Sequence, residues 1–419
     1  MRDPADSLEI YLVGGAVRDR LLGLPGGDRD WVVVGASPEQ MGALGFRPVG
    51  KGFPVFIHPQ TGEEYALART ERKVAKGYHG FEFYAAPDVT LEQDLGRRDF
   101  TINAIAMDRD GMLVDPWGGQ ADLDLGIIRH VSTAFAEDPV RVLRLARFAA
   151  RFQAQGLVPA SETMDLCQDM VASGEVDALV PERVWQELKR VLDGNKSSVF
   201  VETLRQCGAL ARVFPEIDVL FGVPQVPEYH PEIDTGRHVQ LCLDAADAIT
   251  KDPAVKFAVL VHDLGKGRTP KSELPRHRGH ERKGIKPVKA LCDRLGVPNE
   301  FRELALGVCE YHLHYHRLDE LRPGTVLKML NALDGFRRPQ RVSQFCQSCL
   351  ADQRGRTGWE ATADDKSRKL LAMHQAALAV DGGEIARSLF PDGTSDGAAG
   401  KRIREQLDAA RVRAISDLA

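Results

Sequence analysis

The stretch that most restricts the fold of this chain is residues 10–35, IYLVGGAVRDRLLGLPGGDRDWVVVG. The run IYLV is apolar, as in a buried β-strand, and it ends at two glycines. Residues 16–22 have a helical pattern, and the turn LPGG separates them from a second apolar run, WVVV. The stretch therefore predicts a strand, a short helix and a second strand in close succession.

The start of the second predicted strand carries two aspartates, Asp28 and Asp30. Side chains two residues apart on an extended segment leave the same face, so the two carboxylates are expected roughly 7 Å apart along the strand. Such a pair suits Mg²⁺, which proteins hold with one or two carboxylates while substrate phosphates and water fill the other positions. Gly14 and Gly15 lack a Cβ, so a triphosphate can approach the backbone closely. Each feature alone also fits an ordinary turn or a solvated strand.

Together with Arg18 on the intervening helix, these features resemble the polymerase-beta-type nucleotidyltransferase superfamily. The sequences LVGGAVRD and DRDWVVVG resemble the head of bacterial CCA-adding enzymes, the tRNA nucleotidyltransferases. The resemblance implies that Asp28 and Asp30 hold catalytic Mg²⁺ and that Gly15 and Arg18 contact the nucleotide.

The order of the predicted elements, β-α-β-α-β-β, indicates a small mixed sheet. Its last two strands are residues 53–57 and 64–68. Glu64 begins its strand much as Asp28 begins the earlier one, so it is a third carboxylate near the metal, a base for the attacking hydroxyl, or an exposed strand residue. Residues 69–84 lack a clear period and predict a mobile loop. The family resemblance implies that this loop affects the switch from adding C to adding A.

The segment LGRRDFTINAIA, residues 95–106, places Arg97 and Arg98 before a helix predicted to start near Thr101. The two arginines either form a surface charge pair or hold a triphosphate, because guanidinium forks match phosphate oxygens. RRDFTINAIA resembles the second signature of CCA-adding enzymes. That resemblance implies that Arg98 contacts the nucleotide.

A helix predicted over residues 137–152 carries arginines on one stripe. At about 100° per residue, four of them fall within roughly a third of the helix circumference, and no glutamate lies between the first and the last. Four cations on one stripe repel one another unless an anion lies against them, so we expect the stripe to face a nucleotide or an RNA end. The four are Arg141, Arg144, Arg147 and Arg151.

The beginning of this helix resembles the EDxxR motif with which CCA-adding enzymes select their base. The resemblance implies that Asp138 and Arg141 form Watson–Crick-like hydrogen bonds with the incoming C or A, so that the protein itself acts as the template. A carboxylate and a guanidinium fork present the acceptors and donors that a base edge requires. Arg144 and Arg147 match family residues that also contact the nucleotide.

The composition is that of a soluble globular protein. The chain has 419 residues, which suggests about two to four domains, and its net charge of −5 does not by itself indicate a nucleic-acid binder. Its first residues lack the basic and apolar regions of a signal peptide, and no apolar run is long enough to cross a bilayer. Seven cysteines without framework spacing indicate reduced thiols. We therefore expect a cytosolic (cytoplasmic) protein without a membrane segment.

A second candidate site lies beyond the Pro-rich connector at residues 222–231. Histidines recur there around a His-Asp doublet in VHDLGKG. A buried His-Asp pair alone is more often structural, but this recurrence resembles the HD phosphohydrolase superfamily, in which His and Asp bind a divalent metal that activates water. The residues that fit an HD-type ligand set are His238, His262, Asp263, His280 and His312.

CCA-adding enzymes of the enterobacterial type carry such a domain. The resemblance therefore implies metal-dependent phosphatase and 2′,3′-cyclic phosphodiesterase activities, supported by an ion such as Ni²⁺ or Mg²⁺. One departure leaves the ligand set and the metal open, because the family pattern has an aspartate where this chain has Leu313, directly after His312. RGRTG at residues 354–358 also resembles the enterobacterial enzyme, so the resemblance spans nearly the whole chain.

The predicted fold class is α+β, with a small mixed-sheet nucleotidyltransferase head followed by helical regions. The predicted domains are the head at residues 1–136, a helical neck with the base-selecting helix at 137–222, an HD domain at 232–336 and a helical tail at 337–419. We expect no chemistry of its own from the tail.

The predicted function is addition and repair of the 3′-terminal CCA of tRNA from CTP and ATP, without a nucleic-acid template and with release of pyrophosphate. The predicted partner is tRNA, contacted at its acceptor end and elbow by a monomer or a homodimer. Three alternatives remain open: a bacterial poly(A) polymerase, an enzyme that adds only CC or only A, and an HD hydrolase whose head merely binds nucleotide. An HD domain and the lack of a long basic tail favour the CCA enzyme over the poly(A) polymerase.

Overall fold

The computed structural model describes residues 3–49, 55–73, 81–391 and 399–418. The chain forms two compact units. The head unit comprises Met1–Glu187 and Glu202–Val213, and the helical unit comprises Leu188–Val201 and Phe214–Ala419. Every strand within the described ranges lies in the head unit, which confirms the predicted α+β class.

The strands of the head unit alternate with short helices along the chain. They are β1 Glu9–Val13, β2 Asp30–Val34, β3 Arg47–Val49, β4 Val55–Ile57, β5 Glu64–Leu67, β6 Thr70–Lys73, β7 Phe81–Tyr84, β8 Ala106–Met107, β9 Leu113–Val114, β10 Ile127–Ile128 and β11 Val158–Pro159.

Seven of these strands form one mixed sheet in the order β3-β4-β5-β2-β1-β8-β9. The pair β2–β5 is parallel and the other pairs are antiparallel. A small mixed sheet was predicted, but β3, β8 and β9 were not. These strands have only two or three residues each, which is too short to show a period of two in the sequence.

The central strand β2 is packed on both faces. Val33 lies in one apolar cluster with Ile10, and Val32 lies in another cluster with Val13. Because successive side chains of a strand alternate, Asp30 shares the face of Val32. The buried valines therefore fix the register that places this carboxylate at the start of the strand.

The prediction of a mobile loop at residues 69–84 is wrong at both ends of that segment. β6 and β7 pair there in antiparallel register, with Thr70 opposite Tyr84. Residues 74–80, in the middle of the predicted loop, lie outside the described residues, as do residues 53–54 at the start of the predicted strand 53–57.

Helices make up most of the remaining described chain. They are α1 Gly15–Leu21, α2 Pro38–Ala43, α3 Leu91–Gly96, α4 Gly119–Leu125, α5 Val140–Arg151, α6 Ser161–Ala172, α7 Pro181–Asp193, α8 Ser197–Gln206, α9 Ala209–Val213, α10 Pro215–Asp218, α11 Thr235–Ile249, α12 Pro253–Val261, α13 His280–Lys283, α14 Ile285–Leu295, α15 Asn299–His316, α16 Pro323–Ala332, α17 Gln340–Arg354, α18 Asp365–Leu378, α19 Gly382–Leu389 and α20 Ala399–Ser416.

The core of the helical unit is built from α11, α12, α15 and α17, which pack against one another. Local signals set where the first two begin. The Asp234 side chain caps α11 by accepting from the Arg237 amide, and Asp252 caps α12, with Pro253 in the first turn.

The seven cysteines are all free, as predicted, and all of them are buried; Cys346 and Cys349 both lie on α17. Within the described ranges, none of the helices combines the length and the apolar character that crossing a bilayer would require.

Candidate functional site

The three predicted carboxylates of the head unit lie at one end of two adjacent parallel strands. Asp30 is the first residue of β2 and stands beside Glu64, the first residue of β5. Asp28 precedes β2 rather than belonging to it, which corrects the predicted strand start. All three residues are exposed. Partial burial, together with the negative charges of Glu64 and Asp28, raises the pKa of Asp30, while Arg98 opposes the rise.

Burial is the largest cause of this rise in the pKa of Asp30 and the charges of Glu64 and Asp28 add to it, so a cation held beside Asp30 would favour its ionised form. Oxygen donors are the ligands that Mg²⁺ prefers. In the described part of the chain these carboxylates do not form a tight three-ligand group. That openness suits Mg²⁺, which commonly keeps water and substrate phosphates as its remaining ligands.

Arg98 lies over the glycine turn that joins β1 to α1. Gly14 has a φ of +67°, and a Cβ at this position would lie 3.0 Å from Arg98 Nη1. Arg98 Nη2 donates to Asp94 Oδ2 at 3.1 Å, whereas Arg98 Nε is buried without a hydrogen-bond partner. The turn therefore needs glycine because of both its backbone angle and the close guanidinium.

The environment of Arg98 corrects one local prediction. Arg97 and Arg98 follow α3 instead of preceding an α-helix, and Thr101–Asn103 forms only a single 3₁₀ turn. Capping by Thr90 starts α3. The sequence predicted a helix near Thr101, where the chain forms only this short turn.

Arg18 is buried between α1 and α5. Its Nε and Nη2 donate to Asp19 Oδ1 at 2.9 and 2.7 Å, and its Nη1 donates to Asn103 Oδ1. The guanidinium also lies over the rings of Phe148 and Phe152, 5.2 and 4.7 Å from their centroids. Gly15, the first residue of α1, packs beside it, since a Cβ there would lie 3.4 Å from Arg18 Nη2.

The arginine stripe of α5 lies against carboxylates of the protein itself. Arg144 Nε donates to Asp99 Oδ2 at 2.7 Å, and Arg147 Nε donates to Glu187 Oε2 at 2.5 Å. Arg151 Nη2 donates to Asp19 Oδ2 at 2.8 Å. Side-chain carboxylates of the head unit thus lie against three of the four arginines, and the expected contact of the stripe with a nucleotide or an RNA end stays a prediction.

Asp99 is the most strongly perturbed of these carboxylates. Burial acts to raise its pKa, but the charge of Arg144 and hydrogen bonds from Asn103 and Arg144 outweigh burial and lower the pKa to about 2. The Asn103 amide donates to Asp99 Oδ1 at 2.8 Å. Asp99 is therefore a fixed negative charge between α5 and the segment that carries Arg98.

The predicted base-reading pair stands at the start of α5. Asp138 has an extended backbone and precedes the helix, and Arg183 of α7 donates from Nη1 and Nη2 to its two carboxylate oxygens at 3.0 and 2.8 Å. Arg141 donates to the carbonyls of Ala134 and Arg97, at 3.0 and 2.6 Å. Arg183 was not predicted as a site residue, because it lies in PERVW, outside the motifs that resemble the family.

The structure brings together all five residues predicted for the second site. They come from α11, the turn after α12, α13 and α15, and all are buried. The doublet follows the last residue of α12, Val261, so it does not lie within the helix itself. The five are His238, His262, Asp263, His280 and His312.

The two oxygens of Asp263 face different histidines. Oδ2 lies 3.2 Å from His262 Nε2 and 3.8 Å from His238 Nε2. Oδ1 lies 3.3 Å from His280 Nε2 and 3.8 Å from His312 Nε2. One carboxylate therefore stands between two pairs of imidazoles.

Backbone carbonyls orient three of these rings. The Nδ1 atoms of His262, His280 and His312 lie 2.7, 2.8 and 3.0 Å from the carbonyls of Val259, His277 and Val308. A neutral imidazole that donates from Nδ1 has a free lone pair on Nε2. In the neutral rings the inward-pointing Nε2 atoms would therefore be acceptors.

Several of the inward-facing atoms form no hydrogen bond within the described residues. His262 Nε2 and both oxygens of Asp263 are buried without a hydrogen bond, although Lys266 Nζ forms an ion pair with Asp263 Oδ2 at 2.6 Å. The Nε2 atoms of His280 and His312 lie only 3.1 Å apart. Nitrogen and carboxylate donors converging in this way form the ligand set of a divalent transition metal. The residues present therefore fit a metal centre.

Asp352 is a further member of this cluster that the sequence analysis missed. Its Oδ1 lies 3.1 Å from His238 Nε2 and 3.8 Å from His262 Nε2, and its Oδ2 lies 2.5 Å from His316 Nε2. It adds a second carboxylate to the cluster. Although burial acts to raise its pKa, His316 and Arg356 hold the pKa of Asp352 well below the usual range.

Three known protein families match three successive parts of the chain. The family described as "Poly A polymerase head domain" matches residues 10–129. The family described as "Probable RNA and SrmB- binding site of polymerase A" matches residues 156–221, and "HD domain" matches residues 235–338. The bounds of the four predicted domains remain predictions.

Solved structures share the fold at low sequence identity. A "Thermotoga maritima CCA-adding enzyme complexed with tRNA_CCA" aligns with a TM-score of 0.63 and 18% identity over 99% of this chain and 92% of that chain. A Bacillus stearothermophilus CCA-adding enzyme in complex with CTP aligns with a TM-score of 0.61 and 22% identity, over 100% and 94%.

Close relatives are similar over almost the whole chain. A "Multifunctional CCA protein" of Halorhodospira halophila is 57% identical over 411 residues, which cover 98% of this chain and 97% of the relative. One from Chromobacterium violaceum is 58% identical over 409 residues and 98% of each chain. The predicted resemblance is thereby confirmed, and the chain belongs to the family of multifunctional CCA proteins.

Proposed function

We propose that this protein builds and repairs the 3′-terminal CCA of tRNA from CTP and ATP without a nucleic-acid template. The observation that carries the proposal is the alignment of Asp30 with Glu64 beside Asp28, at the sheet end where Arg98 covers the glycine turn. Membership of the multifunctional CCA protein family supports the choice of tRNA as substrate.

Asp28 and Asp30 would hold Mg²⁺, with Glu64 as a third ligand or as the base for the tRNA 3′-hydroxyl. When bound, the ion neutralises charge on the triphosphate and favours in-line attack with loss of pyrophosphate. Arg98 has a buried Nε without a partner and lies beside the carboxylates, so its guanidinium can donate to a phosphate oxygen. The glycine turn, with Gly15 at the helix start, leaves room for the phosphates.

The cations of α5 can exchange partners when a nucleotide binds. Arg144 and Arg147 now pair with Asp99 and Glu187, which keep both guanidinium groups in place and satisfied. A triphosphate carries more charge than either carboxylate and can share the same forks. Arg18 is held by Asp19 and two aromatic rings, so we assign it a supporting position beneath the nucleotide pocket.

We assign base selection to Asp138 and Arg141. Arg183 fixes the plane of the Asp138 carboxylate through two hydrogen bonds, which suits a group that must present acceptors to a base edge in one orientation. Arg141 is held by two backbone carbonyls. Both groups are thus oriented before the nucleotide arrives, as a protein template requires.

We propose a second, metal-dependent phosphohydrolase activity for the histidine cluster of the helical unit. His238, Cys242, His262 and Asp352 offer one group of ligands, and Asp263, His280 and His312 offer another. A divalent ion such as Ni²⁺ or Mg²⁺, held by these residues, would activate water for attack on a phosphate ester. The proposed substrates are 2′,3′-cyclic phosphates and phosphates at RNA ends.

Incubating a tRNA transcript that lacks CCA with labelled CTP and ATP, separately and together, tests the first activity. The proposal expects CTP alone to extend the tRNA by CC and the mixture to complete CCA. Long A tracts from ATP alone would indicate a poly(A) polymerase, and extension that stops at CC or starts only after CC would indicate a partial enzyme.

Loading the protein with Ni²⁺, Mn²⁺ or Mg²⁺ and supplying 2′,3′-cyclic AMP tests the second activity. The proposal expects hydrolysis that a chelator removes and that metal restores. If no common divalent ion supports hydrolysis, the cluster is better explained as part of a tRNA-binding scaffold.

A further inference from the structure

The segment RGRTG, residues 354–358, begins two residues after Asp352 and packs onto the helix that carries His238. A Cβ at Gly355 would lie 2.6 Å from the backbone nitrogen of Cys242 on α11, so the chain can pass this close only with glycine. Thr357 N donates to Glu232 Oε2 at 3.3 Å, and Glu232 Oε1 lies 2.8 Å from His238 Nδ1. The segment is therefore fixed beside the metal-ligand cluster.

The two arginines of this segment have different surroundings. Arg354 donates from Nε and Nη2 to the Thr362 carbonyl at 3.1 and 3.0 Å, which closes the turn. Among the described residues, no hydrogen bond is formed by the Arg356 side chain, whose Nε is fully buried. Its side chain is 14% exposed, and its Nη2 lies 3.8 Å from Asp352 Oδ1.

A nearly buried guanidinium with unused donors costs free energy unless an anion compensates it. Asp352 cannot fill that role alone, because its oxygens already lie 3.1 and 2.5 Å from the Nε2 atoms of His238 and His316. The positive charge of Arg356 also reaches the histidines, since it acts to lower the pKa of both His230 and His316. An anionic ligand at the cluster would satisfy the guanidinium.

We propose that Arg356 binds a non-bridging oxygen of the phosphate group whose ester is hydrolysed at the HD cluster. This inference rests on the proposed phosphohydrolase activity. A guanidinium fork matches two phosphate oxygens, and Asp352 places it beside the metal ligands. Arg356 thereby draws the phosphate toward the ligand groups and stabilises the negative charge that grows on its oxygens during attack.

The test compares Arg356→Gln with Arg356→Lys and with Arg368→Gln. Arg368 is a surface arginine on α18 whose side chain is 75% exposed, so its substitution is a matched control. For each Ni²⁺-loaded protein we would measure metal content, calorimetric affinity for inorganic phosphate, and kcat and KM with 2′,3′-cyclic AMP. Added guanidinium ion, at concentrations that leave the fold intact, provides a rescue arm for Arg356→Gln.

We expect Arg356→Gln to keep its metal while the phosphate dissociation constant and KM rise about tenfold or more, as for loss of a charged hydrogen bond. The phosphate dissociation constant and the KM of Arg356→Lys should lie between those of the wild type and of Arg356→Gln. Guanidinium ion should restore part of the rate of Arg356→Gln. Arg368→Gln should match the wild type. Unchanged phosphate affinity in Arg356→Gln would overturn the inference and leave the phosphohydrolase intact.

Loss of metal from Arg356→Gln would also overturn the inference, because Arg356 would then act by holding Asp352. If Arg356→Gln fails to fold, Arg356→Lys decides, since wild-type phosphate affinity and KM in that variant would contradict fork binding. A wild-type protein that binds phosphate in the presence of metal but hydrolyses nothing would reject the proposed activity on its own. A wild-type protein that binds neither metal nor phosphate would overturn both.

Discussion

Arg183 Nη1 and Nη2 donate to Asp138 Oδ1 and Oδ2 at 3.0 and 2.8 Å, so a residue of α7 sets the orientation of the carboxylate at the start of α5. The family motif contains Asp138 and Arg141 but not the residue that aligns them. Because two parallel hydrogen bonds define a plane, this contact restricts the directions in which Asp138 can accept from a base.

Asp138→Ala or Arg141→Ala should weaken the choice of C and A over U and G more than the affinity for triphosphate. Each good base-edge contact contributes about 1–3 kcal/mol of discrimination, so misincorporation should rise about 5- to 150-fold. Single-nucleotide incorporation rates with each of the four triphosphates measure the change. If selectivity held while affinity collapsed, the pair would be phosphate ligands instead.

Arg183→Gln tests whether this contact orients the Asp138 carboxylate, and Lys189→Gln on the same helix is the matched control. Lys189 makes an exposed ion pair with Asp193, so its loss should leave selectivity unchanged. Arg183→Gln should reduce selectivity in the same direction as Asp138→Ala, but by less, because the carboxylate remains. Wild-type selectivity in Arg183→Gln would exclude a role for this contact.

Asp28→Asn or Asp30→Asn should reduce nucleotide addition by about 10³-fold or more while the fold remains intact, since an exposed ligand is lost without a change in the core. Asp110→Asn, at an exposed turn of the head unit, is the control. Initial rates of CTP incorporation and circular dichroism measure the two effects. Wild-type rates in either variant would remove that aspartate from the metal site.

The sequence revealed the head through local patterns and left the tertiary partners undetermined. The apolar runs and the GG turn led to β1, α1 and β2, whereas the parallel pairing that places Asp30 beside Glu64 is a tertiary contact. The carboxylates that neutralise the α5 stripe come from three distant positions, Asp19, Asp99 and Glu187, and no periodicity relates them to α5.

The same limit applies to the second site. His238 and Asp352 are 114 residues apart, and only the packing of α11 against α17 brings them together. The VHDLGKG motif was sufficient to locate the doublet, whereas Asp352 lies in a helix whose sequence gives no sign of metal ligands. The segment at residues 69–84 was misread because β6 and β7 have four residues each and mixed composition.

The ion pair between Asp99 and Arg144 predicts a pH dependence of stability. The pKa of Asp99 is lowered to about 2 in the folded protein, so its ionised form favours folding above its ordinary pKa of 3.8. Asp99→Asn should lower the free energy of unfolding by at least about 2 kcal/mol at pH 7. That deficit should narrow as the pH falls from about 4 toward 2. Urea unfolding of both proteins across this range measures it, and a deficit independent of pH would contradict the account.

His262→Ala, Asp263→Asn or Asp352→Asn should abolish hydrolysis of 2′,3′-cyclic AMP and lower bound metal, because each removes a buried ligand. The same variants should keep CCA addition, since the two sites lie in different units. His314→Ala is the control, because His314 belongs to none of the ligand groups in the described residues. Hydrolysis retained in the doublet variants would remove them from the metal centre.

The most direct test of the central claim is the 3′-end sequence of tRNA extended by the wild-type protein with all four nucleoside triphosphates present. The account predicts products that end in CCA and stop there, because side chains of the protein, and no template strand, choose each base. Products with A tracts, mixed bases or no extension would contradict it.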